Sequence, residues 1–471
     1  MLFNSFEFQF LVLCTMALYY MPGLQVLQRF VLIGSSFVFY AANQPILLLL
    51  LIGSIAINIG SSHLVYHGRH ALRTTYAALG VIANLGVLAF FKYSPLFGRT
   101  LFDGEGSLGE FLIAIPLPIG ISFFTFQGIT LLIDTLRVQE HRATYALPHG
   151  PFSRHTINTT LFISFFPQLV AGPIVKAHDF VPQINPKFLK DVDWAYCFRH
   201  LVTGYFLKMV VADNLKDQTF WIAYPYFESR SSTDLIVMLF GYSMQIFADF
   251  AGYSLIAIGT AGLFGYLLPQ NFNFPYISKS IAEFWQRWHI SLSSFLKEYL
   301  YFPLGGNKKG QVRTYINLMV VMLLGGLWHG AAWSYMVWGG AHGLALATER
   351  FITDRFRLPD TGLWGALRML LVFLFVTYAW LLFKLPEFDH VIAYTKAIRN
   401  NGDLHTHYRL ITMVLLYSLP VIAYHLHHLY RERLLRFVPA SWTPAPAAYG
   451  LMLFLILANS GSPGAFVYFQ F

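Results

Sequence analysis

Charge is what this chain has least of. Only 12% of its 471 residues are Asp, Glu, Lys or Arg, about half the share of an ordinary soluble domain. With 56% hydrophobic residues and a mean hydropathy of +0.52, that scarcity excludes a water-soluble globule. Cysteine is scarcer still. Cys14 and Cys197 stand far apart in apolar segments, which excludes a disulfide framework and a thiolate metal site. Gly-x-Ser-x-Gly and P-loop spacings are missing, and so are low-complexity tracts and a convincing internal repeat. The excess of Lys and Arg (32) over Asp and Glu (23) is too thin on so apolar a chain to read as a nucleic-acid surface. It reads instead as cations kept in cytoplasmic loops. The first apolar stretch, 6–22, has Glu7 where a secretory leader carries Lys or Arg, so it reads as a retained helix.

What the chain has in quantity is apolar length. Windows near 6–22, 27–43, 45–66, 74–97, 111–136, 157–174, 195–213, 235–268, 312–328, 331–348, 364–383, 409–428 and 447–460 suit helices through a ~30 Å hydrocarbon core. They lack the ~10-residue alternation of an outer-membrane barrel. Several do not read as simple crossings: 111–136 holds Pro116 and Pro118, 157–174 holds Pro167 and Pro173, and 235–268 is too long for one perpendicular helix. Broken segments at membrane depth need protein or a water-filled cavity around the freed backbone. The expected fold class is therefore all-α: a polytopic transmembrane helical bundle of about 11–13 segments, some re-entrant or broken, around a central cavity. Residues 1–471 are expected to form a single membrane-embedded domain. With 157–174 re-entrant and 312–348 a hairpin entering and leaving on one side, most loop Lys and Arg fall on one face, which the positive-inside rule makes cytoplasmic.

Polar groups and aromatics concentrate between Ile281 and Gly343, where five of the ten tryptophans lie beside His289 and His329. An ionisable side chain at membrane depth marks a functional-site candidate. His329, among Leu324-Gly-Gly-Leu-Trp-His-Gly-Ala-Ala-Trp333, has its neutral form favoured by desolvation, which suits a general base. A packing junction with a satisfied core histidine fits the same residues. The stretch Ser278–Tyr301 has Phe284, Trp288, Leu292, Phe295, Leu296 and Tyr299 at helical spacing, and reads as an amphipathic interfacial helix. On that helix His289 either faces inward or bonds headgroups. Lys308 and Lys309, in a Gly-rich turn followed by Arg313, either cradle the phosphates of a nucleotide-containing donor or simply mark the cytoplasmic side. Asp249, with Gln245 one turn earlier, either pairs with Lys208 or orients a histidine. His342 reads as a helix-packing group. The His425-Leu-His-His428 cluster has no carboxylate or cysteine beside it and reads as an interfacial anchor, so no metal site is expected.

These residues also carry a resemblance. Trp285-Gln-Arg-Trp-His-Ile-Ser-Leu292, Tyr299-Leu-Tyr-Phe-Pro-Leu-Gly-Gly-Asn307, Leu327-Trp-His-Gly-Ala-Ala-Trp333 and Trp338-Gly-Gly-Ala-His-Gly343 closely resemble the membrane-bound O-acyltransferase family. Phe165–Ile174, Met244–Tyr253, Asn271-Phe-Asn-Phe-Pro-Tyr276 and the terminal Val467-Tyr-Phe-Gln-Phe471 resemble the branch that contains bacterial alginate O-acetyltransferase. The resemblance implies that His329 is catalytic, as a general base or as a transient carrier of the acetyl group, and that His289 is the second signature position; Trp328, Asp249 and Gln245 are expected to support the site. It implies a multi-pass enzyme of the bacterial inner membrane that takes acetyl groups from a cytoplasmic donor, acetyl-CoA. The acetyl group goes to an exopolysaccharide such as alginate, with cellulose or peptidoglycan as alternative acceptors, and a periplasmic or membrane-anchored acetyltransferase partner finishes the transfer. A sister branch that alanylates teichoic acids fits the motifs less well. Two other classes stay open on the residues alone. A transporter shares the broken helices and intramembrane charges, and a non-catalytic scaffold of a polysaccharide synthase would leave both histidines without effect.

Overall fold

The structure is a computed structural model, and it describes residues 1–42, 45–102, 106–147, 150–356, 359, 361–434, 445–462, 464 and 466. The Val467–Phe471 motif lies outside the described residues, as do the side chains of Arg431 and Arg433. The helices are α1 (Phe6–Tyr19), α2 (Gln28–Ala41), α3 (Leu47–His67), α4 (Arg73–Phe102), α5 (Gly106–Ala114), α6 (Ile121–Gln139), α7 (Phe152–Ser164), α8 (Phe166–Leu169), α9 (Ala177–Phe180) and α10 (Trp194–Tyr205). They continue as α11 (Asp213–Thr219), α12 (Ser232–Leu263), α13 (Ile281–Arg287), α14 (Ile290–Leu296), α15 (Gln311–His329), α16 (Trp333–Thr353), α17 (Gly362–Lys384), α18 (Phe388–Asn400), α19 (Tyr408–Leu434) and α20 (Ala445–Ala458). Among the described residues there is no strand. Among the described residues, six stretches are long and apolar enough to cross a membrane: α3, residues 70–102 around α4, α6, α12, α17 and the part of α19 up to Tyr430. This is an all-α polytopic membrane fold. The windows at 312–328 and 331–348 fold as the full-length helices α15 and α16, and the remaining apolar windows as shorter or interrupted helices.

The chain divides into two compact units, Met1–Leu201 with Ser254–Pro269, and Val202–Tyr253 with Gln270–Phe471. In the first, the prolines at 116 and 118 end α5, and Gly120 (φ +79°) starts α6 in a left-handed conformation that a side chain would resist. Pro167 sits in the first turn of α8, where its missing N–H costs nothing, so the 157–174 window is split at Phe165. Polar groups are paired rather than stranded: Asn58 and Asn84 exchange amide hydrogen bonds of 3.0 Å between α3 and α4. The Lys92 ammonium donates to Ser122 Oγ at 3.4 Å, and buried Asp134 accepts from the Tyr145 hydroxyl and holds the His178 ring at 2.7 Å.

Helix α12, whose residues are divided between the two units, corrects one expectation. It runs unbroken for 32 residues, about 48 Å at 1.5 Å per residue, so its length is carried by a single long helix. The 312–348 window is a helical hairpin, α15 against α16. A Cβ at Gly326 would overlap the carbonyl oxygen of Tyr335, and one at Gly339 that of Met322, so the two backbones touch where only glycine fits.

The amphipathic helix expected over Ser278–Tyr301 is likewise corrected. The chain is helical to Arg287, extended at Trp288 (φ −102°, ψ 129°), left-handed at His289 (φ +46°, ψ 54°), and helical again from Ile290. A loop around Asn271 forces the break. Its carbonyl accepts from Ile290 N–H at 2.9 Å and its side-chain oxygen accepts from Ser291 N–H at 3.2 Å, while Asn273 N–H donates to the Arg287 carbonyl at 2.9 Å. Helical periodicity survives the break, which is why the sequence reads as continuous.

Candidate active site

His329 is the last residue of α15 and only 4% exposed. Trp338 stands perpendicular to its ring at 5.1 Å, Phe383 lies at 5.2 Å and Trp328 at 5.0 Å. The glycine contact of the hairpin holds Trp338, from α16, against it. At a helix C-terminus the unsatisfied carbonyls favour positive charge by about 0.3–1 kcal/mol, up to ~2 in partly buried geometry. An imidazolium formed here by taking a proton is stabilised by the helix that carries it.

His289 is fully buried, with its ring centre 6.4 Å from that of His329 and 5.8 Å from Trp328. Phe250, from α12, meets it edge-on at 4.6 Å. A left-handed conformation at a non-glycine residue costs about 1–2 kcal/mol. The surroundings hold it there: Asn271 Oδ1 lies 3.1 Å from His289 Nδ1 and accepts from Ser291 N–H and from Ser291 Oγ at 2.9 Å. The Ser291 backbone donor identifies that atom of Asn271 as the oxygen. An oxygen only accepts, so His289 Nδ1 carries the hydrogen and Nε2 holds the lone pair. His289 lies outside the six candidate spans, and burial lowers its pKa to about 3. The ring is neutral across the physiological range.

The other expected site residues are placed as follows. Trp328 is buried between the two histidines, in ring contact with both. Asp249 pairs with Lys208: the ammonium lies 2.8 Å from Asp249 and 2.7 Å from Asp213, and all three are buried. This is the ion-pair alternative, enlarged by Asp213, whose carboxyl burial pushes up to about 6 against the pull of Lys208. Gln245 accepts from the Thr219 hydroxyl. Lys308, Lys309 and Arg313 are exposed, at the opposite end of α15 from His329. Sixteen residues of helix separate Arg313 from His329, about 24 Å. His342 is fully buried, accepts from Trp285 Nε1 at 3.3 Å and touches Trp338 at 4.8 Å, a packing position behind the site. Among the described residues no group of His, Cys, Asp or Glu could hold a metal ion. His425 bonds the Val421 carbonyl and His428 stacks on Phe274.

Asn271, Asp213, Trp338, Phe250 and Phe383 carry parts of this arrangement that residue-by-residue reading did not assign. Asn271, Trp338 and Phe250 lay inside recognised motifs, so a signal existed without a role. Phe383 gave none, since nothing in an apolar helix marks which ring will meet a distant histidine.

A polytopic membrane protein with two buried imidazoles side by side, one a neutral acceptor and one at a cation-favouring helix end, has the equipment for proton-coupled group transfer. The family model of the membrane-bound O-acyltransferases matches residues 141–386, which include both histidines. The chain is 36% identical to the peptidoglycan O-acetyltransferase of Helicobacter pylori over 78% of its own length and 73% of the relative's. It is also 36% identical to the probable alginate O-acetylase of Pseudomonas aeruginosa, over 82% and 72%. The teichoic acid D-alanyltransferase of Bacillus subtilis is 28% identical over 58% and 70%. The chain belongs to the membrane-bound O-acyltransferase family and is an O-acyltransferase.

Proposed function

We propose that the protein moves acetyl groups from a cytoplasmic thioester, acetyl-CoA, through the inner membrane for O-acetylation of an extracytoplasmic polysaccharide. The observation that carries this reading is the juxtaposition of His289 and His329, 6.4 Å apart in buried surroundings, with Nε2 of His289 held as a lone pair. The equal identity to a peptidoglycan and an alginate enzyme supports a sugar hydroxyl as the final acceptor. Alginate or a similar exopolysaccharide is the first reading, peptidoglycan or cellulose the alternative. A periplasmic or membrane-anchored partner completes the transfer.

In this mechanism His329 takes the proton of the attacking hydroxyl, on a sugar or on a partner's serine. The oxygen forms the ester bond to the acetyl carbon, the carbon–sulfur bond breaks, and the thiolate recovers the proton from the imidazolium. His289, neutral, orients the hydroxyl through Nε2. Lys308, Lys309 and Arg313 offer the donor's phosphates a cationic surface at the far end of α15. General-base help contributes about 10²–10⁴-fold, so His329→Ala is expected to insert normally while acetylation of the cell's polysaccharide collapses. Wild-type acetyl content in that strain overturns the assignment.

A further inference from the structure

A second candidate site lies away from the histidines, in a cavity of about 510 Å³ between α16, α17 and the start of α13. Its lining is graded. At one end stand Lys279, Arg368 and Glu349, and toward the other the wall is apolar, with Leu344, Ala345 and Phe375. The Glu349 carboxylate is already engaged, accepting the backbone N–H groups of Ile281 and Ala282. The Arg368 guanidinium donates through Nε to the Lys279 carbonyl at 3.1 Å, which draws the two cationic residues together at the rim. Two cations against one occupied carboxylate leave the charged end net positive.

The apolar end opens toward hydrocarbon. α17 is one of the six candidate spans, and its outward residues Leu367, Leu370, Leu371 and Leu374 are all exposed, as is Leu344 on α16. A groove that is cationic at the rim and apolar along a membrane-spanning helix matches an amphiphile with an anionic head and an acyl tail. Basic pockets between membrane helices recognise anionic head groups in this way, and Arg and Lys stems lie along apolar surface while their charges reach the interface. We propose that this groove binds an anionic phospholipid of the surrounding bilayer. The phosphate meets Lys279 and Arg368, and one acyl chain lies along Ala345 and Phe375. Bulk lipid is the occupant favoured over a free phosphate compound because the larger part of the lining is apolar and would stay unfilled by a water-soluble anion.

The test uses the full-length protein in detergent, titrated with phosphatidylglycerol or with phosphatidylcholine of the same acyl chains and read by native mass spectrometry. Phosphatidylglycerol is expected to bind roughly tenfold more tightly, each cation near the head group contributing a few-fold. The double variant Lys279→Gln, Arg368→Gln should bring the two lipids to near-equal affinity. Ala345→Leu, which keeps both charges and narrows the tail path, should weaken both lipids and leaves a check that does not depend on the charge variants folding. Equal binding of the two lipids to the wild type overturns the proposal, and so does a preference that survives in the double variant. Displacement of the bound lipid by coenzyme A assigns the groove to the acyl donor and overturns it as well.

Discussion

Asn271 is where one substitution tests the most geometry. Its side-chain oxygen accepts from His289 Nδ1, Ser291 N–H and Ser291 Oγ at 3.1, 3.2 and 2.9 Å. A net hydrogen bond is worth about 0.5–1.5 kcal/mol, and a buried donor left unmade costs about 1–3. Asn271→Ala should therefore lose roughly 3–4 kcal/mol of local stability. That exceeds the 1–2 kcal/mol needed to hold His289 left-handed, so the ring loses its fixed orientation and turnover should fall about 10²-fold, the cost of a misplaced reacting group. Asn271→Asp is the sharper variant. The carboxylate accepts the same three donors but places an anion beside the imidazole, raising its pKa from about 3 by roughly 1–3 units. His289 then becomes protonated at a higher pH and Nε2 loses its lone pair there. The contribution of neutral His289 is present above the raised pKa and lost as pH falls through it, so the variant should show a new acid limb near pH ~5. The wild type should show no limb from His289 in that range. The assay is the pH dependence of kcat for thioester-dependent acetyl transfer by purified protein. An unaltered pH profile in Asn271→Asp, or wild-type turnover in Asn271→Ala, refutes the role given to His289.

Other consequences follow from the packing and the charges. Gly326→Val drives a branched side chain into the Tyr335 carbonyl and should cost 1–3 kcal/mol or more, read as a lowered Tm in detergent; an unchanged Tm contradicts the close helix contact. Lys208→Met leaves Asp213 and Asp249 buried without their cation. It should destabilise by about 3–5 kcal/mol, and adding Asp213→Asn and Asp249→Asn should recover part of the loss in thermal unfolding; no recovery would remove the ion-pair account. Replacing Lys308, Lys309 and Arg313 together with Ala should raise the donor KM several-fold and leave kcat intact, the pattern of lost ground-state binding. An unchanged KM would make the basic turn a marker of the cytoplasmic side alone.

Much of the architecture was legible because burial in lipid writes itself into composition. The proline breaks near 116–118 and 167, the α15–α16 hairpin and the Lys208–Asp249 pairing follow from local rules about proline, glycine and intramembrane charge. The decisive local feature was not legible. Nothing between Ser278 and Tyr301 interrupts the helical period, and the break at Trp288–His289 is imposed by hydrogen bonds from a loop some eighteen residues upstream. Asp213 escaped notice as well: it follows a seven-residue π-helical turn, Phe206–Ala212, that contains Lys208, and no period in the sequence marks that turn. The unbroken α12 shows that excess apolar length alone is a weak argument for a kink when no proline or glycine pair is there to make one.

The central claim is that His329 moves the proton in acyl transfer. Purified wild-type and His329→Ala protein, both verified as folded by thermal unfolding, would be compared for transfer of labelled acetyl from acetyl-CoA to an oligosaccharide or partner acceptor. A fall of about 10²–10⁴-fold with the donor still bound is the predicted result. Transfer at the wild-type rate by the folded variant would contradict the account.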